Sequence, residues 1–277
     1  MRIQPENVIV SLTSVPRRFA TTLPEVLSAI QRQSVAPRIV VSIPHAYRKW
    51  GASPPFETDI EGVEVFRPSR DYGPATKLLG GLEYAAAHPE ITHIITVDDD
   101  VVAASDRLFE YLMVCAGITQ GAVTPGGIRL KRPPFRRSGE GLSYKSRFHR
   151  THIPSGYRSV IYPVAPLLRS DLPFRMIDDM PPGAFNDDDA YFGCLLGALS
   201  VELVAVPAIK PRNVAGDGGS AVQEAAAMHR VDNQAAILRH GVDRGFLKLP
   251  LPALPLLKRI KLALAYVRMF QFRPASG

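Results

Sequence analysis

The fold class this sequence predicts is an open α/β domain: a mostly parallel central sheet flanked by helices, followed by a basic amphipathic helix at the C-terminus. Three observations lead there. Over the first 125 residues, short β-branched runs alternate with helical stretches, the pattern of βα units around a parallel sheet. The fourth of these runs ends in three consecutive aspartates, Asp98, Asp99 and Asp100. Seven of the 33 basic residues follow Asp243 and none of the 26 acidic residues does, so the net charge of +7 sits in the tail.

The predicted strands are Val8 to Leu12, Arg38 to Ile43, Val63 to Phe66 and His93 to Val97. Between and after them, Leu23 to Gln33, Lys77 to Ala87 and Ala103 to Cys115 read as helices, with Leu78, Leu82 and Ala85 on one helical face. Periodicity lapses from Arg129 to Arg150, where eight basic residues and one acid, Glu140, mark a surface loop. A strand over Ser159 to Tyr162, a helix over Asp188 to Leu199, a strand over Val201 to Val206 and a helix over Ala221 to Arg239 follow, the last two separated by the glycine-rich Gly216 to Gly219. In the tail, Leu256, Ile260, Ala263, Val267 and Phe270 form one apolar stripe, with Lys258, Lys261 and Arg268 expected opposite. Such a helix suits the surface of an anionic membrane or a packing site on its own domain or a partner.

At 277 residues with 46% apolar side chains, the chain is neither disordered nor low in complexity. Two cysteines, Cys115 and Cys194, are too few for a disulfide framework and read as buried thiols. No apolar run approaches the roughly 18 residues of a membrane span, and the N-terminal apolar run is too short for a secretion signal. The expected location is cytoplasmic, with the tail peripheral at the inner face of a membrane. Charge balance over residues 1–243 argues against a nucleic-acid groove.

In an open α/β sheet, ligands bind beyond the carboxyl ends of strands, which is where Asp98 to Asp100 stand. Adjacent carboxylates repel unless a cation neutralises them, and hard oxygen donors select Mg²⁺ or Mn²⁺. Alternation along an extended chain would point Asp98 and Asp100 one way and Asp99 the other. A second acidic run, Asn186 to Asp189, opens the helix at Asp188. Helix capping would explain its acids, and so would general-base chemistry.

The segments DYGPATKLLGGLEYA and ITHIITVDDDV together resemble the D-x-D glycosyltransferases of GT-A fold. DDAYFGCLLGALSVE, residues 188–202, is similar to the E-D-V-Y-x-G-x-C-L motif of β-1,3-galactosyltransferase-like families and, more loosely, to the E-D motif of family 2 enzymes. The resemblance organises residues 6 to 206. It implies a Rossmann-like GT-A domain in which residues 1–125 bind the nucleotide sugar, residues 126–243 hold the acceptor and the base, and residues 244–277 form a tail. It implies donor contacts from Thr13, Arg17, Asp71, Lys77, Asp98 and Asp99, metal ligation by Asp98 and Asp100, and catalysis by Asp189 with Asp188 beside it. The expected activity is metal-dependent transfer, of hexosyl type, from a nucleotide diphosphate sugar such as a UDP-sugar to a glycan or lipid-linked hydroxyl, with inversion. Gly156 to Tyr162, and the basic loop carrying Tyr144, Phe148 and His149, are placed by the same resemblance beside the acceptor.

Two departures stand out. Family 2 enzymes carry an acid after the second strand, where this chain has VSIPHAYRK, and His229 is the one candidate for a late metal-binding histidine, reading otherwise as an exposed helix residue. IITVDDDVV also satisfies the D-x-D pattern of haloacid-dehalogenase-like phosphatases, although three strands precede it here. A nucleotidyltransferase and a non-catalytic membrane-surface module are the remaining alternatives.

Overall fold

The computed structural model describes residues 2–35, 37–130, 142–144 (backbone only), 148–208, 211–214 and 233–270. Eight strands form the central sheet: β1 (Val8–Leu12), β2 (Arg38–Ser42), β3 (Val63–Phe66), β4 (His93–Thr96), β5 (Ala122–Thr124), β6 (His149–Arg150), β7 (Val160–Pro163) and β8 (Leu203–Ala205). Their spatial order is β6-β8-β5-β7-β4-β1-β2-β3. All neighbours from β4 to β3 are parallel, as are β5 and β8, while β7 runs antiparallel between β4 and β5 and β6 antiparallel at the edge.

The apolar runs become strands because both faces of the sheet are covered. Along β1, Ile9 enters one core while Val8, Val10 and Leu12 enter the other, and all are fully buried. This period-2 alternation sorts continuous β-branched runs into two layers. On the first face lie α2 (Thr76–Ala87) and α4 (Asp188–Ala198), with helical residues 233–243; on the second lie α1 (Thr22–Gln31), α3 (Leu108–Thr119) and α5 (Leu256–Phe270). Leu78, Leu82 and Ala85 are buried on α2 as their spacing predicts. That helix lies close to the sheet: a Cβ on Gly80 would come within 2.7 Å of Ser42 Oγ, and one on Gly81 within 2.8 Å of Ser11 Oγ.

The differences from expectation are local. α3 begins at Leu108 rather than Ala103, because Ala103 to Arg107 run as a turn after a two-residue strand, Val101–Val102. The stretch read as a loop from Arg129 contains strands: Gly127–Leu130 pairs with Leu142–Tyr144 and with Ile153–Pro154, and β6 joins the main sheet. Phe148 packs against the second core, so mixed polarity concealed short strands there. The side chain of Tyr144, the glycines at 216–219 and His229 lie outside the described residues. Both cysteines are free and buried, and burial pushes each thiol up to about 12.

α5 packs on its domain largely through a face other than the predicted stripe, although the last member of that stripe, Phe270, joins the contact. Leu262, Ala265 and Met269 are buried, Tyr266 and Phe270 meet Tyr111 edge-on at 6.0 and 5.1 Å, and Lys258 turns inward to Glu202 at 2.7 Å and the Thr119 carbonyl at 3.0 Å. Among the described residues, no helix is long and apolar enough to cross a membrane.

His152 ties the small sheet to the C-terminal segment: its Nδ1 accepts from Leu130 N at 3.0 Å and its Nε2–H donates to the Lys248 carbonyl at 3.0 Å. Burial lowers it from 6.5 to about 4, so the folded protein keeps it neutral where the unfolded chain would protonate it. Its contribution to stability is therefore complete above pH 6.5 and is lost as pH falls toward 4, amounting to about 3 kcal/mol. Chemical denaturation from pH 7 to 4.5 should show that loss, and His152→Gln, which keeps a donor and an acceptor, should flatten the slope.

Candidate active site

Chain order runs from β1 outward through β2 to β3, then returns to place β4 on the other side of β1. Strand order reverses between β1 and β4, and ligands of open α/β sheets bind in the crevice beyond the carboxyl ends at such a reversal. Two segments leave the sheet there. The β1 exit carries Thr13 to Arg18 and the β4 exit carries Asp98 to Asp100.

β4 ends at Thr96, and Asp99 and Asp100 lie in a turn, so strand alternation does not govern the three carboxylates. Asp99 and Asp100 share Arg18, whose two terminal nitrogens reach Asp99 Oδ1 at 2.5 Å and Asp100 Oδ2 at 2.8 Å. Asp98 pairs instead with Lys77. Ser14 Oγ also donates to Asp99 Oδ2 at 2.5 Å, and the Tyr47 hydroxyl donates to the Ser14 carbonyl at 2.7 Å. Burial pushes Asp99 up to about 6 against the opposing pull of Arg18 and Ser14. Two internal cations thus answer the repulsion among three neighbouring acids.

The second acidic run meets the first through Lys77. Asp187 is the N-cap of α4, its Oδ1 accepting from Ala190 N at 3.2 Å. Asp188 pairs with Lys77 Nζ at 2.7 Å. Asp189 Oδ1 accepts from Gly156 N at 2.8 Å. A Cβ at position 156 would overlap Asp189 Oδ1, so only glycine lets this backbone amide reach the carboxylate. Neighbouring acids thus have separate partners: the first closes the helix, the second pairs with Lys77 and the third accepts from the Gly156 amide.

Lys77 is buried, with 5% of its side chain exposed. Burial alone would lower its pKa, but Asp188, Asp98 and Asp189 outweigh burial and hold it well above the ordinary lysine value. Asp189 moves the other way from a surface carboxylate: burial and the charge of Asp188 raise it well above the usual range, with Lys77 opposing. The loop that delivers Lys77 is held at several points. Arg70 grips Asp178 through both terminal nitrogens at 3.0 and 2.9 Å, and Thr76 Oγ1 accepts from Tyr72 N at 3.0 Å.

Of the residues predicted as site residues, Lys77, Asp98, Asp188 and Asp189 converge, and Asp99 and Asp100 lie beside them in the same turn. Thr13 Oγ1 donates to the Ser42 carbonyl at 2.7 Å, tying the ends of β1 and β2 together. Asp71 is committed to its own loop, accepting from Gly73 N at 2.8 Å and Arg48 N at 2.7 Å. Arg17 is exposed, and it is Arg18 that turns into the acids. Sequence reasoning missed Ser14, Tyr47 and the roles of Arg18 and Gly156. Only the last two left a trace, in the Arg17-Arg18 pair and the glycine opening GYRSVIY. In that segment Tyr162 is a core residue in edge-on contact with Phe192, whereas Tyr157 is 38% exposed with Arg158 over its ring at 5.2 Å from the centroid.

The acids at the strand end offer oxygen donors to a divalent ion. Among the described residues, no group of three or more His, Cys, Asp or Glu side chains is arranged as a cage. Asp98 and Asp100 are partly exposed, at 27% and 22% of their side chains. As hard oxygen donors they fit the mode in which Mg²⁺ or Mn²⁺ rests on one or two carboxylates and completes its shell with water and phosphate. A cavity of about 330 Å³ bordered by His152, Leu196, Glu202 and Phe246 lies toward the far end of α4, away from these acids.

No family model matches the chain and no curated protein does. Among solved structures, 4-diphosphocytidyl-2C-methyl-D-erythritol synthase is similar at 14% identity and a TM-score of 0.43, over 81% of this chain and 99% of that one. Staphylococcus aureus TarS 1-349 in complex with UDP is similar at 13% identity and a TM-score of 0.47, over 98% of this chain and 74% of that one. Both likenesses are too distant to bear on function, for which the crevice geometry is the guide.

Proposed function

We propose that the crevice beyond β1 and β4 binds a nucleoside diphosphate sugar and transfers the sugar to an acceptor hydroxyl with inversion. One observation carries this reading: the strand-end acids and the α4 acids meet across a single buried lysine at the reversal of strand order. Glycosyl transfer needs both groups, one facing the leaving diphosphate and one facing the attacking hydroxyl.

Asp189 is the general base in this reading. Burial and Asp188 raise its pKa, making it a stronger base than a surface carboxylate, and the Gly156 amide aims it. Asp98 and Asp100 would hold Mg²⁺ or Mn²⁺, which when bound supplies Lewis-acid stabilisation of the departing diphosphate. Lys77 and Arg18 keep these carboxylates in place within a crowded acidic crevice. Thr13, Arg17 and Asp71 belong to the donor side by position: the first and third set the loops that frame it, and Arg17 stays free to reach outward. On the acceptor side, exposed Tyr157 offers an aromatic face to a glycan or lipid-linked sugar, beside the Gly156–Asp189 contact.

Calorimetry with UDP, GDP and dTDP tests donor binding. One of the three should bind in the presence of Mn²⁺, and Asp100→Ala should remove the metal-dependent part of that affinity while leaving the thermal melt intact. No binding across the panel would overturn the reading. Release of pyrophosphate would point instead to nucleotidyl transfer, and an aspartyl-phosphate trapped on Asp98 to a phosphatase.

A further inference from the structure

The C-terminal helix has two apolar faces, and the fold uses one. Leu262, Ala265 and Met269 face the domain with inward-turned Lys258. Taking 100° per residue, Leu256, Ile260, Ala263, Leu264 and Val267 cluster on the opposite side, with Leu257 at its margin. Leu256, Leu257, Ile260 and Leu264 are 69%, 64%, 48% and 57% exposed, and they account for four of the seven large apolar side chains that stand out from the surface among the described residues.

The polar residues bordering this face are all of one sign. Arg259 lies along one edge, Lys261 and Arg268 lie along the other, and all three are exposed. No acid occurs after Asp243, so nothing on the helix offsets them. The fourth basic residue, Lys258, is withdrawn from the outer face and neutralised by Glu202.

We infer that the outer face of α5 is a docking surface for an anionic lipid bilayer, with the helix lying in the plane of the interface and its leucine and isoleucine side chains in the acyl boundary. An apolar strip between two basic edges is the arrangement that buries apolar area while placing cations at headgroup level. Charge complementarity selects this occupant over a second copy of the chain. Two such faces paired about a two-fold axis would set Arg259, Lys261 and Arg268 among their own like charges. The inference is independent of the transferase reading and holds whatever the crevice does. Docking through α5 leaves the inner face of the helix, and hence the fold, unchanged.

Co-sedimentation of the full chain with vesicles tests it. The protein should pellet with phosphatidylcholine vesicles containing phosphatidylglycerol, at least tenfold less with phosphatidylcholine alone, and less as salt rises. A double variant, Ile260→Asp with Leu264→Asp, should lose vesicle binding at least tenfold with an unchanged thermal melt, since both positions are exposed. A charge variant, Arg259→Glu with Lys261→Glu, should do the same without touching an apolar residue. Failure of the wild type to pellet with anionic vesicles would overturn the inference, as would retained binding by both variants. A concentration-dependent doubling of mass in solution, relieved by Leu264→Asp, would assign the face to a second copy instead.

Discussion

Lys77→Ala should be the most damaging single substitution in the protein, lowering the unfolding free energy by about 3–5 kcal/mol. The lysine is buried between Asp98 and Asp188, with Asp189 close enough to raise its pKa. Removing it leaves those largely buried acids facing one another without their shared cation. The loss exceeds that of an ordinary surface ion pair because the remaining charges stay desolvated and repel one another. Urea denaturation measures it directly. Asp188→Asn combined with Lys77→Ala should cost less than the two single changes summed, because the second change removes part of the charge that the first left unpaired. A loss below about 1 kcal/mol for Lys77→Ala would mean that water or another cation already neutralises the acids.

Asp189→Asn should reduce the rate of glycosyl transfer by about 10²–10⁴-fold while leaving nucleotide affinity within a few-fold of the wild type. The amide retains an oxygen to accept from Gly156 N and nearly the same volume, so the α4 terminus should stay in place. What it lacks is a site for the proton of the acceptor hydroxyl. The acidic limb of the wild-type rate profile should lie above the ordinary carboxylate range, because burial and Asp188 raise Asp189, and it should disappear in the variant. Asp188→Asn should weaken the Lys77 pair and lower stability more than it lowers the intrinsic rate. If Asp188→Asn instead gave the larger rate loss with the donor still bound, the base would be Asp188. A product with the donor's anomeric configuration would remove both from that role.

These expectations rest on features with different visibility in the sequence. β1 to β4 were legible within a residue or two: β1, β2 and β4 because strands buried on both faces require continuous apolar runs, and the half-buried edge strand β3 through its β-branched Val63 and Val65. The acids at the end of β4 were legible for the same reason: a charged triplet after a buried strand must lie at the sheet's edge. Selecting Arg18 over Arg17 was not legible. A short helical turn at Pro16–Arg18 decides which of the two adjacent side chains points inward, and its orientation comes from packing that no local pattern encodes. The grouping of the acids was also hidden, since the chain turns after Thr96 and period-2 alternation ends with the strand.

The tail makes the same division plain. Its basic excess, its helical period and the stripe through Leu256, Ile260, Ala263, Val267 and Phe270, the last of which turns onto Tyr111, were read from the sequence alone, because spacing fixes which side chains share a face. Which face the domain covers was decided by tertiary structure. α3 presents Tyr111 and its neighbours to Leu262, Ala265 and Met269, and Glu202 draws in Lys258, leaving the more regular stripe outside. In the crevice, likewise, composition supplied two clusters of acids, but only the folded chain brought Lys77 between them. Electrostatic pairing between residues 21 and 111 positions apart depends on distances that exist only after the sheet has assembled.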